Sequence, residues 1–74
     1  MDFTKMHGLG NDFIIMEAPS WEEAGHYQTH ASLLCHRNFG IGADGLIITG
    51  PDPELDIFMR IFNPDGSEPE MCGN

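Results

Sequence analysis

Basic residues are scarce in this chain: three lysines and arginines stand against twelve aspartates and glutamates, for a formal charge of −9. Such an acidic chain repels phosphate backbones and anionic bilayers, so neither nucleic acid nor a membrane surface is an expected partner. Long hydrophobic runs are also lacking, and no segment has the length of a membrane span. Two cysteines allow one disulfide at most, and the N-terminus, Met1-Asp2-Phe3-Thr4-Lys5, lacks the apolar segment of a secretory signal. The expectation is a cytoplasmic chain with reduced thiols. The sequence has no internal repeat and no low-complexity tract. With 74 residues there is room for one domain at most, and its stability is expected to be marginal without a partner. The acidic residues are dispersed, as on a solvated surface.

What is present alternates between short apolar runs and glycine-rich turns. Phe3 to Met6 and Asp12 to Glu17 have β character, and His7-Gly8-Leu9-Gly10-Asn11 between them predicts a hairpin. Pro19 ends the second run. Ser20-Trp21-Glu22-Glu23 has the form of a capping box, but Gly25 weakens a helix begun there, so the helix is placed from Thr29 to Arg37 with Thr29 as its cap. Leu46 to Thr49 reads as a buried strand closed by Gly50-Pro51-Asp52-Pro53. Leu55 to Phe62 then alternates, with Leu55, Ile57, Met59 and Ile61 on one face and Asp56, Phe58, Arg60 and Phe62 on the other. Asn63-Pro64-Asp65-Gly66 is a turn. The expected fold class is α+β in β-β-α-β-β order, with a sheet that one short helix cannot cover. Ile14, Ile47 and Ile57 are expected on the face left partly open.

Three constellations invite chemistry. Gly40-Ile41-Gly42-Ala43-Asp44-Gly45 fits the glycine string of dinucleotide-binding folds, but it follows a helix and opens a strand, the reverse of the required context. These glycines turn the chain and leave Asp44 on an accessible loop. His26 and His30 with Cys35 lack the paired short spacings of a zinc site, so no metal is expected, and Cys35 beside Leu33 and Leu34 reads as packing. Met71-Cys72-Gly73-Asn74 differs from both. A thiol followed by glycine at a helix start has free backbone N–H groups nearby that favour an anion and lower the thiol pKa.

Taken together, Lys5-Met6-His7-Gly8-Leu9-Gly10-Asn11-Asp12-Phe13, Gly40 to Gly45, Phe62-Asn63-Pro64-Asp65-Gly66-Ser67 and Met71-Cys72-Gly73-Asn74 resemble the N-terminal part of the diaminopimelate epimerase family. The resemblance spans the whole chain. Proline racemase-like enzymes share a similar Met-Cys-Gly string but usually continue with His, where this chain has Asn74.

The resemblance implies a curved, mostly antiparallel sheet with a short helix and a truncated central helix, in the first domain of a two-domain enzyme. Residues 1–74 would be part of that domain, with the second domain absent. It implies epimerisation of LL-2,6-diaminopimelate to the meso form, in lysine and peptidoglycan precursor biosynthesis, without metal, pyridoxal phosphate or another cofactor. Cys72 would be one of two catalytic cysteines, acting as acid or base according to direction. Asn11, Asn63, Gly73 and Asn74 would hold the substrate, the last two chiefly through backbone N–H groups. The resemblance also leaves room for a homodimeric parent. On this reading the piece alone neither binds nor epimerises diaminopimelate, and on its own it aggregates or unfolds easily. A related isomerase of the same fold and a non-enzymatic binding or oligomerisation module remain as alternatives.

Overall fold

The structure is a computed structural model that describes residues 3–8, 10–38 and 40–69. Four strands form one sheet in the order β1-β2-β3-β4: β1 (Thr4–Gly8), β2 (Asn11–Glu17), β3 (Gly45–Asp52) and β4 (Asp56–Phe62). The outer pairs are antiparallel, whereas β2 and β3 run parallel. A parallel pair needs a crossover. Here it is a helical segment made of α1 (Trp21–Gly25), a 3-10 turn (His26–His30) and α2 (Ala31–Cys35). The observed order is β-β-α-β-β and the class α+β, as expected from the sequence.

The helical boundaries differ from those read in the sequence. Ser20 caps the segment, its Oγ accepting the Glu23 N–H at 3.2 Å, with Glu22 and Glu23 in the first turn favouring the positive helix end. Thr29 is no cap; its hydroxyl donates to the His26 carbonyl at 3.3 Å. Gly25 ends α1 but not the helical segment. The chain tightens into the 3-10 turn just after it and recovers in α2, whose Ala31 and Cys35 are buried together with Ala24 of α1. After Cys35 the loop folds back over the last carbonyls: Ile41 and Gly42 donate to Leu34 O, and Ala43 to Cys35 O, at 2.9–3.1 Å. Strand β3 continues past Thr49 to Asp52. Its pairing with β2 stops at Thr49, so Pro51 lies where β4 is its only neighbour and a missing N–H is tolerated.

Register decides the core. Ile14 pairs with Leu46 and Leu46 with Phe62, while Met16 pairs with Ile48, so one face stacks these side chains beneath the helical segment. Phe62, Ile14, Leu46 and Ile48 are fully buried there. The small side chains of Ala24, Ala31 and Cys35 let the helical backbone approach closely. The other face carries Phe13, Ile15, Ile47, Ile57, Met59 and Ile61, and no described element covers it. Ile57 is 62% exposed and Met59 47%. Ile47 and Ile57 thus lie on the open face as expected, but Ile14 does not, because period two places it opposite its neighbour Ile15.

Candidate active-site face

Strand directions bring the glycine-rich turns together. Strands β2 and β3 begin at one end of the sheet, and β1 and β4, antiparallel to them, finish there. That end therefore holds His7-Gly8, Gly10-Asn11, Asp44-Gly45 and Asn63 to Ser67, of which Asn11 and Asn63 are more than fifty residues apart in the chain. Asn11, the first residue of β2, is exposed and follows Gly10, whose φ of +84° suits glycine in a tight hairpin. Asn63 follows β4 and is half-buried. Its backbone N–H donates to Ser67 O at 2.7 Å and its Nδ2 to Ser67 Oγ at 3.0 Å, so it does shape its own turn. Asp65 completes that turn by accepting the Ser67 N–H and hydroxyl, and these bonds hold its carboxyl below the usual range. Cys72, Gly73 and Asn74 lie outside the described residues.

Two arginines were passed over in the sequence as site residues: Arg37 organises this end, and Arg60 lies farther along β4, opposite Ile48. Arg37 follows α2 and reaches Asp44 Oδ1 at 3.0 Å and Asp12 Oδ2 at 3.3 Å. Asp12 and Asp44 are joined independently: the Asp12 N–H donates to Asp44 Oδ2 at 2.7 Å, and the Asp44 N–H to Asp12 O at 2.8 Å. His7 Nδ1 also meets Asp12 Oδ1, and this contact, ahead of Arg37, holds the Asp12 carboxyl below its ordinary pKa. The Asp44 carboxylate is thus engaged by the hairpin and by Arg37, fixing the loop beside Asn11.

Arg60 lies on the core face of β4, between Phe58 and Phe62. Its Nε and Nη2 donate to both oxygens of Glu68 at 2.9 and 2.8 Å, and its Nη1 to the Trp21 carbonyl at 2.9 Å. The guanidinium also lies 4.5 Å from the Trp21 ring centroid. This bidentate pairing raises the Arg60 pKa and lowers that of Glu68. The one available signal was periodicity: a cation in register with Phe58 and Phe62 must find a partner.

Cys35 is buried in the core, and burial pushes its thiol pKa up, so it suits packing rather than attack. His30 Nδ1 lies 3.3 Å from the His26 carbonyl. Among the described residues no group of three or more His, Cys, Asp or Glu side chains is placed to hold a metal ion.

This end of the sheet is thus built from glycine turns, exposed and half-buried amides and fixed charges. The family description "Diaminopimelate epimerase" matches residues 3–74. Diaminopimelate epimerases of Caldanaerobacter subterraneus, Moorella thermoacetica and Desulforudis audaxviator are 62%, 58% and 53% identical to the chain, over all of it and over 26–27% of their own length. The chain belongs to the diaminopimelate epimerase family. It spans about a quarter of the length of these relatives.

Proposed function

We propose that the chain is the N-terminal part of the first of two domains in a cofactor-independent, cytoplasmic epimerase acting on LL-2,6-diaminopimelate in lysine and peptidoglycan precursor biosynthesis. The observation that carries this reading is the convergence of Asn11 and Asn63, from opposite ends of the chain, at one end of the sheet, where the segment toward Cys72 also departs. An amide both donates and accepts, which suits a ligand bearing ammonium and carboxylate groups.

An amino acid α-proton is a very weak acid, and epimerisation must remove it from one face and return a proton to the other. Two thiols on opposite faces do this without change of oxidation state: a thiolate takes the proton while a thiol gives one, and the roles reverse with direction. Cys72 is one partner. A thiol of ordinary pKa, about 8.5, is brought toward working pH by helix N-terminal N–H groups, which also stabilise charge growing on the substrate carboxylate. Gly73 and Asn74 would supply such groups through their backbones. The second thiol and the grip on the distal end of the substrate belong to chain beyond residue 74.

The test is proton exchange at the substrate α-carbon in deuterated water, followed by NMR. A protein of the relatives' length exchanges and epimerises, and Cys72→Ala abolishes both. The 74-residue chain alone gives no exchange above background. Undiminished turnover in Cys72→Ala overturns the reading.

A further inference from the structure

The backbone beside Asn11 is held by a side chain where a strand would ordinarily be held by another strand. The N–H of Asp12 belongs to the peptide that joins Asn11 to Asp12, and it donates to the Asp44 carboxylate at 2.7 Å. The Asp44 N–H returns a bond to Asp12 O at 2.8 Å. Pairing of β2 with β3 begins at Phe13 and Gly45, so this two-bond clamp carries the contact one residue further, up to the Asn11 peptide. The clamp has an electrostatic cost, because it brings two carboxylates together. Arg37 offsets that cost by bridging them, with Nη1 on Asp12 Oδ2 at 3.3 Å and Nη2 on Asp44 Oδ1 at 3.0 Å. His7 meets the other Asp12 oxygen. Each of the four carboxylate oxygens thereby has a partner within the protein.

We infer that Arg37, acting through Asp44, is a positioning residue for substrate binding: the bridge and clamp fix the Asn11–Asp12 peptide and so the point from which the Asn11 amide side chain departs. The inference rests on the assignment of Asn11 to the substrate. Asn11 is otherwise paired only with Gly8 of β1, at the open end of a hairpin. Rotation of the peptide plane would carry the side chain with it. A hydrogen-bonding group fixed before the ligand arrives has less freedom to lose on binding, so releasing Asn11 weakens the hold on substrate and transition state alike. Arg37 itself does not touch the substrate.

The experiment compares Arg37→Gln, Asp44→Ala, Asn11→Ala and the Arg37→Gln, Asn11→Ala double variant with wild type, in a protein of the relatives' length. Two quantities are read: kcat and KM for diaminopimelate, and hydrogen exchange of the Asp12 amide by NMR. Arg37→Gln and Asp44→Ala are expected to speed Asp12 exchange by about 10-fold or more without a matching change at the amides of β4, which separates local release from general destabilisation. Each should raise KM by about fivefold or more with kcat within about threefold, the pattern of lost uniform binding. The double variant should match Asn11→Ala in KM within about twofold, because Arg37 works through Asn11. Effects that multiply would put Arg37 on the substrate and overturn the positioning role. Unchanged Asp12 exchange or unchanged KM in folded Arg37→Gln also overturns it. Should Asp44→Ala fail to fold, Arg37→Gln, which alters an exposed side chain, decides by the same criteria. Asn11→Ala with the KM of wild type would refute the assignment of Asn11 itself. Failure of the inference alone is distinct: Asn11→Ala then raises KM while Arg37→Gln does not.

Discussion

Position 40 shows how tightly single residues are constrained near the candidate site. A Cβ on Gly40 would sit 1.9 Å from the Leu33 carbonyl oxygen and 2.8 Å from that of Leu34, where the loop folds back over α2. Neither contact is with a side chain that can move aside. Gly40→Ala is expected to cost about 2–4 kcal/mol, measured by urea unfolding of the longer protein, and to loosen the nearby loop that carries Asp44. A loss under about 0.5 kcal/mol would mean that the loop shifts freely. The Arg60–Glu68 pair makes a pH prediction of defined sign. Hydrogen bonds from Arg60 hold the folded Glu68 carboxyl below its unfolded pKa of about 4.3. The unfolded chain therefore binds the proton more readily. The stabilisation is fully present above the unfolded pKa and is lost as pH falls through the folded value. Urea midpoints of wild type and Glu68→Gln should differ at pH 7 and converge below about pH 4. A gap independent of pH would show that the ion pair is not its source.

Among the elements, the helical segment has its clearest test at Ser20. Removing the hydroxyl leaves the Glu23 N–H without its cap, so Ser20→Ala should cost about 1 kcal/mol, against almost nothing for Thr29→Ala, whose hydroxyl caps no helix start. The reverse ranking would restore the boundary first read from the sequence. That boundary was missed because Gly25 carries a real propensity penalty. The fold absorbs it by tightening the next turn and burying Ala24, Ala31 and Cys35, a tertiary gain that no local window contains. The strands were more legible. Phe13 to Ile15 and Leu46 to Thr49 are dense in β-formers, and the alternation read from Leu55 to Phe62 assigns the two faces correctly from Asp56 on, whereas Leu55 lies in the preceding turn, its N–H donated to the Asp52 carboxylate. The alternation is silent on which face is the core. The three apolar side chains Ile57, Met59 and Ile61 outbid Phe58, Arg60 and Phe62 on composition, yet the latter set is inside, because Arg60 carries its charge to Glu68 and the Trp21 carbonyl. The turns of the candidate site were marked by glycine and asparagine. Their meeting depends on the parallel pairing of β2 with β3, a long-range fact.

For the molecule as a whole, the open sheet face is where the proposed longer protein can be tested against the 74-residue piece. Apolar side chains with no cover cost solubility in one context and supply a core in the other. Ile57 and Met59 are exposed here, and Ile15, Ile47 and Ile61 beside them are half-buried. If further chain of the same protein packs on this face, the same substitution must act with opposite sign in the two contexts. In the 74-residue chain, Ile57→Lys should reduce binding of a hydrophobic dye and slow aggregation in light scattering, because it breaks an exposed apolar strip and lowers no buried contact. In a protein of the relatives' length it should destabilise by about 2 kcal/mol or more, because burying the side chain removes water from about one aliphatic group and a lysine there leaves its charge unpaired. Equal, small effects in both lengths would mean that the face stays open in the longer protein, and the reading of this sheet as one layer of a completed domain would fall.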